Sequence, residues 1–290
     1  MQAAIDKAHT LIEAMSYIQQ FRGRIVVIKM GGSVMDNDEA LMDLLTDVVF
    51  MHAVGMQPVI VHGGGKAISQ AMSDRGMEVQ FVQGRRYTDQ RTLTVVEHVL
   101  CNEVNCRIVD TIESLSCSAM GLHTLGSCVL FGEQLFLEQD DRRIDLGRVG
   151  RVTSVSGHLI ELLARAGTVP VIAPLARDKT GSKLNCNADT AVGEVAAALS
   201  AEKLVVVSDT HGIRRDPDDA DSVIPAARED EIRAMIADGV IAGGMLPKVA
   251  ACLRAIDAGV SRAHIIDGTF AHSLLLEIFS EKGVGTLIQK

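Results

Sequence analysis

The stretch RIVVIKMGGS, residues 24–33, constrains the fold most tightly. Ile25 to Ile28 form an unbroken run of branched apolar side chains, which suits a strand buried on both faces better than one half-exposed to water. The run passes into Lys29 and then Gly31 and Gly32. A helical segment at about 37–54 follows, and then QPVIVHGGG, residues 57–65, where a second apolar strand again runs straight into glycines. Strand, helix, strand is a β-α-β unit, the connection that parallel strands require.

The alternation resumes further along. Strand-like runs lie at 169–173 (VPVIA), 204–208 (LVVVS) and 263–267 (AHIID), with helical patterns at about 89–115, 189–200, 229–238, 247–258 and 271–281. Thr88 and Asp89 suit the start of the first of these helices. Apolar strands alternating with helices predict an α/β fold, a mostly parallel sheet covered on both faces. Residues 122–155 differ, with short β-like runs broken by glycines and charges, and predict hairpins projecting from the main sheet. Residues 3–20 set Ile5, Ala8, Leu11, Ile12, Met15 and Ile18 along one side of a helix that Gly23 stops. That stripe docks either on its own domain or on a neighbouring subunit.

With 290 residues and 47% hydrophobic content, the chain has ample material for a core. Its net charge of −9 argues against nucleic-acid binding through the surface, while leaving small anionic ligands open. The six cysteines, Cys101, Cys106, Cys117, Cys128, Cys186 and Cys252, form no C-x-x-C pair and read as small buried residues of a reducing cytosol. No run of 18 apolar residues and no signal-peptide pattern is present, so a soluble cytoplasmic protein is expected.

In open α/β sheets ligands bind at the carboxyl ends of the strands. Lys29 to Ser33, His62 to Gly65, Ser208 to Gly212 and the polar run 183–189 all fall there. Glycine lets backbone N–H groups approach an anion, and a following helix adds partial positive charge. The two glycine turns are therefore tight turns or a phosphate or carboxylate site, and Lys29 favours the second. There is no P-loop, since alanine follows Gly65-Lys66; G-x-G-x-x-G and G-x-S-x-G motifs are also absent. The histidines lack metal-ligand spacing, and His62 reads as a structural hydrogen-bonder rather than a base. Asn185, Asn187 and Asp189 alternate, so an extended strand aims all three one way, and Asp189 could open the alanine-rich helix that follows. Lys248 stands near a helix start, against the helix dipole, after Gly243 and Gly244. Arg86, in GRRYTD, is a candidate carboxylate fork or a surface arginine.

VVIKMGGS, VIVHGGGKAI, GRRYTD, LNCNADTAVGEVA, VVVSDTHGI, GVIAGGMLPKV, AHIIDG and EKGVGTLI occur in this order. Through them the chain resembles the acetylglutamate kinases of the amino-acid kinase superfamily over essentially its whole length. The N-terminal helix leading into IQQFRGR is similar to that of the hexameric, arginine-inhibited branch. The resemblance implies a three-layer αβα sandwich with an extra N-terminal helix and a β-hairpin region. Residues 1–22 would be an oligomerisation helix, 23–180 an N-terminal lobe binding the acyl amino acid, and 181–290 a C-terminal lobe binding ATP. The implied activity is ATP- and Mg²⁺-dependent phosphorylation of the γ-carboxylate of N-acetyl-L-glutamate, a step of arginine biosynthesis. L-arginine would be an inhibitor and the assembly a homohexamer, a trimer of dimers, in the cytoplasm, with no nucleic-acid or membrane partner.

Carried over residue by residue, Lys29 and Lys248 would stabilise the transferring phosphoryl group, Gly31 and Gly32 would offer N–H donors, and Asp189 would hold the two lysines. Gly64, Gly65, Arg86 and Asn185 would bind N-acetylglutamate, with Arg86 on its α-carboxylate. Asp209, Thr210, His211, Gly212, Ile213, Arg214, Val240, Ile241 and Ala242 would line the nucleotide pocket, and no protein metal ligand is implied. Ser33 and Lys66 depart from the family pattern, as do residues 114–135 and the nucleotide loop from Asp209 onward. The rivals are a kinase of carrier-protected aminoadipate in lysine synthesis and a non-catalytic arginine sensor of the same fold.

Overall fold

The structure, a computed structural model, describes residues 1–139, 142–216, 218–219, 221–279 and 283–290. In chain order the first elements are α1 (Gln2–Phe21), β1 (Ile25–Met30), α2 (Gly32–Met35), α3 (Asp38–Ala53), β2 (Gln57–His62) and α4 (Gly65–Ser73). A short hairpin, β3 (Phe81–Val82) and β4 (Arg85–Arg86), precedes α5 (Gln90–His98), a π-helical stretch Val99–Asn105 and α6 (Cys106–Ser114). Then come β5 (Ala119–Leu122), β6 (Leu130–Gln139), β7 (Arg142–Val155), α7 (Gly157–Arg165), β8 (Val169–Ile172), β9 (Leu175–Arg177) and β10 (Lys183–Cys186). The remainder is α8 (Ala188–Ala198), β11 (Lys203–Ser208), β12 (Ala226–Arg228), α9 (Glu229–Ala237), α10 (Met245–Asp257), β13 (Arg262–Asp267), α11 (Ser273–Ile278) and β14 (Thr286–Gln289).

Eight of these strands form one sheet in the order β12-β14-β13-β11-β1-β2-β8-β5. Its pairs are parallel except β13 with β14, as the alternating pattern requires. β1 sits between β11 and β2, so its backbone is fully paired and its side chains meet helices on both sides. The two-residue period of a strand then sorts them. Val26, Ile28 and Met30 join one apolar layer with Leu45, Val48, Val96 and Ile108 of the helices on that face. Val27 joins the opposite layer with Ile160, Val192, Val195, Val249 and Cys252. Lys29 falls on the Val27 side, where α8 packs.

The segment expected as hairpins projecting from the main sheet is organised differently. β6 and β7 pair as one long bulged hairpin and close with β9 and β10 into a small separate barrel. β9 and β10 span Leu175–Arg177 and Lys183–Cys186, too short to show a period of two in sequence. Close packing explains a glycine there: a Cβ on Gly132 would lie 2.2 Å from the carbonyl oxygen of Arg151.

Gly23 ends α1 with φ +73, as its position predicts. The carboxyl end of α1 docks on its own domain: Phe21 is buried, and Tyr17 meets Phe279 edge to face at 6.3 Å. Farther out, Ile5, Ile12 and Met15 are exposed, while the side chains of Ala8 and Leu11 lie outside the described residues. Among the described residues all six cysteines are free thiols; Cys106 is exposed rather than buried as expected, and Cys128 is half-buried. No helix among the described residues is long and apolar enough to cross a membrane.

Candidate active site

Lys29 reaches the carboxyl end of the sheet with a side chain only 7% exposed. Its Nζ lies 2.9 Å from Oδ1 of Asp189, in the first turn of α8. Among the described residues Oδ1 has no aligned hydrogen-bond donor, so the contact is one of charge rather than a directed hydrogen bond. The main chain beside it is crowded. A Cβ on Gly31 would stand 2.7 Å from the Val207 carbonyl oxygen and 3.3 Å from the Lys29 ammonium, which only glycine avoids.

The second glycine turn is braced from behind. A Cβ on Gly64 would lie 2.6 Å from Cδ2 of Leu100, in the π-helical stretch, and would push that side chain aside. Gly65 is different, with open space where its Cβ would be, so packing does not require it to be glycine. What a side chain would occupy there is the space of the cavity that Gly65 lines. No side chain caps α4 and no acid lies in its first turn, which leaves its N-terminal N–H groups to a ligand.

His62 is fully buried beneath this turn. Its Nδ1–H donates to the Gly63 carbonyl at 2.9 Å, and its Nε2 accepts from Asn105 Nδ2 at 3.0 Å. The same amide also donates to the Val171 carbonyl at 3.0 Å. Burial pushes the imidazole down to about 4 from 6.5, so it is neutral at pH 7 and fixes the turn.

Arg86 is buried, and its fork holds neutral acceptors only. Nη2 donates to the Gly65 carbonyl at 2.8 Å and to Ser69 Oγ at 2.7 Å, while Nη1 contacts Met72 Sδ at 3.3 Å. The guanidinium also lies over the Phe81 ring, 4.8 Å from its centroid. Burial lowers its affinity for a proton without neutralising so strong a base. Among the described residues it has no carboxylate partner. Asn185 donates from Nδ2 to Thr88 Oγ1 at 3.1 Å, and Thr88 donates to the Arg86 carbonyl at 2.9 Å.

Lys29, Gly64, Gly65, Arg86, Asn185 and Asp189 all line one cavity of about 600 Å³. Ser69 and Lys66 line it too. Ser69 stands one helical turn beyond Gly65, in a helix that the sequence reading did not identify. Asn187, not Asp189, caps α8, accepting from the Thr190 N–H at 3.0 Å; this leaves the Asp189 carboxylate to Lys29. Gly32 opens α2 directly after the Lys29 strand.

A second cavity, about 420 Å³ and lined mainly by apolar or small residues, gathers Thr210, Gly212, Ile213, Arg214, Val240, Ile241 and Ala242 together with Gly243 and Met245. Asp209 and His211 are not on its wall; His211 pairs instead with Asp267 at 3.1 Å. Nor is Lys248 brought to Asp189. Its Nζ donates to the Gly244 carbonyl at 3.2 Å, in the first turn of its own helix.

Against known proteins, the profile of the Amino acid kinase family matches residues 24–267. The chain belongs to the amino acid kinase family. It is 43% identical to the acetylglutamate kinase of Heliobacterium modesticaldum, over 100% of each chain. It is 45% identical to that of Synechococcus elongatus, over 98% of this chain and 93% of the relative. Among solved structures, the N-acetylglutamate synthase of Neisseria gonorrhoeae complexed with coenzyme A and N-acetyl-glutamate superposes at TM-score 0.86 and 23% identity, over 98% of this chain. This chain spans 63% of that synthase's length. Carbamate kinase of Giardia lamblia bound to AMP-PNP superposes at TM-score 0.65 and 17% identity, over 92% of this chain and 99% of that one. These likenesses to solved structures are likenesses of fold, and they agree with the αβα architecture of this family member.

The His62 brace predicts an acid limb of stability. The unfolded chain takes up this proton as pH falls below 6.5, whereas the folded chain resists until about 4, so stability falls across that window by an amount on the order of 3 kcal/mol. Urea denaturation from pH 7 to 4 checks it. His62→Gln, which keeps a donor and an acceptor, should flatten this limb; superimposable limbs would remove His62 as its source.

Proposed function

We propose that this chain transfers the γ-phosphoryl group of ATP to the γ-carboxylate of N-acetyl-L-glutamate, in arginine biosynthesis and in the cytoplasm. One observation carries the reading. A buried guanidinium with no carboxylate partner among the described residues shares a cavity with a lysine–aspartate pair at the carboxyl end of the sheet. The whole-length similarity to acetylglutamate kinases supplies the substrate.

The chemistry follows from charge. A carboxylate with an ordinary pKa near 4.3 is already an ionised nucleophile, so no general base is needed. What the site must supply is alignment and neutralisation of oxygen charge. Arg86 anchors the α-carboxylate, and Asn185 and the Gly64–Gly65 backbone hold the rest of the acceptor. Lys29 meets the equatorial oxygens, with Gly31 and Gly32 N–H groups beside it, and Asp189 keeps the ammonium on the reaction axis. The apolar second cavity takes the adenosine, and Lys248, just beyond residues 240–244, acts from the nucleotide side on closure. Asp209 and His211 then act from outside the cavity wall. Among the described residues no group of three or more His, Cys, Asp or Glu could cage a metal, and Mg²⁺ carried on the nucleotide's phosphates needs none. That ion supplies further neutralisation of the phosphate oxygens.

Residues 23–180 would then form the acceptor lobe and 181–290 the nucleotide lobe, although β10 and the start of α8 lend Asn185 and Asp189 to the acceptor cavity. Residues 1–22 would join subunits into a hexamer, supported by the exposed Ile5, Ile12 and Met15 of α1. Inhibition by arginine goes with that assembly, and an N-acetylglutamate synthase of similar fold has been solved with L-arginine. The terminal EKGVGT carries the same reading, but Glu281 and Lys282 lie outside the described residues.

Acyl phosphate trapped with hydroxylamine tests the activity against N-acetylglutamate, glutamate, aspartate, carbamate and N-acetylaminoadipate. Turnover is expected with N-acetylglutamate alone; another acceptor would rename the enzyme, and none would leave the sensor. Lys29→Ala should lower kcat by roughly 10²–10³ with the fold intact. Near-wild-type turnover would remove Lys29 from the chemistry. Deleting residues 1–20 should abolish both the hexamer and arginine inhibition, and a hexamer surviving the deletion would contradict that role.

A further inference from the structure

Arg86 as it stands cannot grip a carboxylate with two prongs. A guanidinium has two bidentate edges, Nη1–H with Nη2–H and Nε–H with Nη2–H, and each needs one hydrogen of Nη2. Both Nη2 hydrogens are committed, one to the Gly65 carbonyl at 2.8 Å and the other to Ser69 Oγ at 2.7 Å. A carboxylate can form a fork only by displacing one of these acceptors. The Gly65 carbonyl belongs to the first residue of α4 and is held by the backbone. Ser69 is the acceptor that can turn away. Its hydroxyl accepts from Arg86 and donates to the Gly65 carbonyl at 3.0 Å, and its side chain lines the cavity beside Arg86.

We propose that the Ser69 hydroxyl is an exchangeable ligand of Arg86 that becomes a direct donor to the acceptor's α-carboxylate. When the carboxylate arrives, Arg86 Nη2–H leaves Ser69 Oγ for one carboxylate oxygen. The Ser69 O–H then swings from the Gly65 carbonyl to the carboxylate. Two hydrogen bonds are given up and three form, the second prong of the fork included; no covalent bond changes, and no proton is transferred. The buried charge thus keeps an acceptor in the free protein and gains an anion in the complex. The Gly65 carbonyl retains its bond from the other Nη2 hydrogen throughout. Ser69 thereby favours an acceptor with a carboxylate at that end over one without. The proposal rests on the reading that this cavity holds the acylated amino acid.

The experiment compares the wild-type chain with Ser69→Ala and Ser69→Thr at saturating ATP and Mg²⁺. The acceptors are N-acetylglutamate and 4-acetamidobutyrate, which keeps the amide and the reacting carboxylate and lacks the α-carboxylate. With N-acetylglutamate, Ser69→Ala should raise KM about tenfold or more, the loss of a hydrogen bond to a charged group. Its kcat should stay within about twofold and its KM for ATP should not move, as a lost ground-state contact requires. Ser69→Thr, which keeps the hydroxyl, should restore most of the loss. With 4-acetamidobutyrate, Ser69→Ala and wild type should share one kcat/KM. An unchanged KM for N-acetylglutamate in Ser69→Ala would overturn the proposal. So would an equal loss on both acceptors, which marks a structural role. If the wild-type chain fails to turn over N-acetylglutamate, the underlying reading falls first, and the proposal with it.

Discussion

Positive charge withdrawn from water is the constraint on which this structure turns. Lys29 and Arg86 are each less than a tenth exposed, and a buried cation costs several kcal/mol unless something compensates it. The fold answers the two cases differently. Lys29 receives a carboxylate, Asp189 at 2.9 Å, whereas Arg86 receives a carbonyl, a hydroxyl, a thioether and the face of a ring. On a protein of net charge −9, this leaves one cavity holding a guanidinium that no carboxylate among the described residues neutralises. Such a site is suited to small anions.

The lysine stands where it does because of strand parity. Val27 and Lys29 share a face, and Val27 is packed against the layer built by α7, α8 and α10. A one-residue slip of β1 would send Lys29 into the opposite apolar layer. The register with β2 and β11, Lys29 opposite Val61 and Val206, guards against that. Asn187 completes the arrangement by capping α8, which frees Asp189 to face the ammonium. Behind the second turn, the π-helical stretch presses Leu100 toward Gly64 and offers Asn105 to His62.

Strands β1, β2, β8, β11 and β13 were legible in the sequence because they are buried on both faces and therefore unbroken in hydrophobicity, whereas the short, partly exposed β5, β12 and β14 were not. Lys29, Gly64, Gly65, Arg86, Asn185 and Asp189 were legible because they sit at strand ends or in polar runs next to them. The short barrel strands β9 and β10 were not, since three or four residues carry no readable period. Helices α4 and α7 were also missed; each spans nine residues beside stronger strand signals. Ser69 stayed hidden because a serine inside a helix is ordinary until Arg86 is folded against it. Lys248 was read as held by Asp189, but its ammonium donates instead to the Gly244 carbonyl in the first turn of its own helix.

On the proposed reading, a site built this way performs transfer by placing charge, not by moving protons. Its neutral histidine is a brace, and its acceptor arrives ionised. The pH profile of kcat/KM for acyl-phosphate formation tests that claim most directly. A plateau is expected from about pH 6.5 to 8.5, with no essential group titrating near 7. A rate rising tenfold per pH unit through that range would reveal a general base and contradict it.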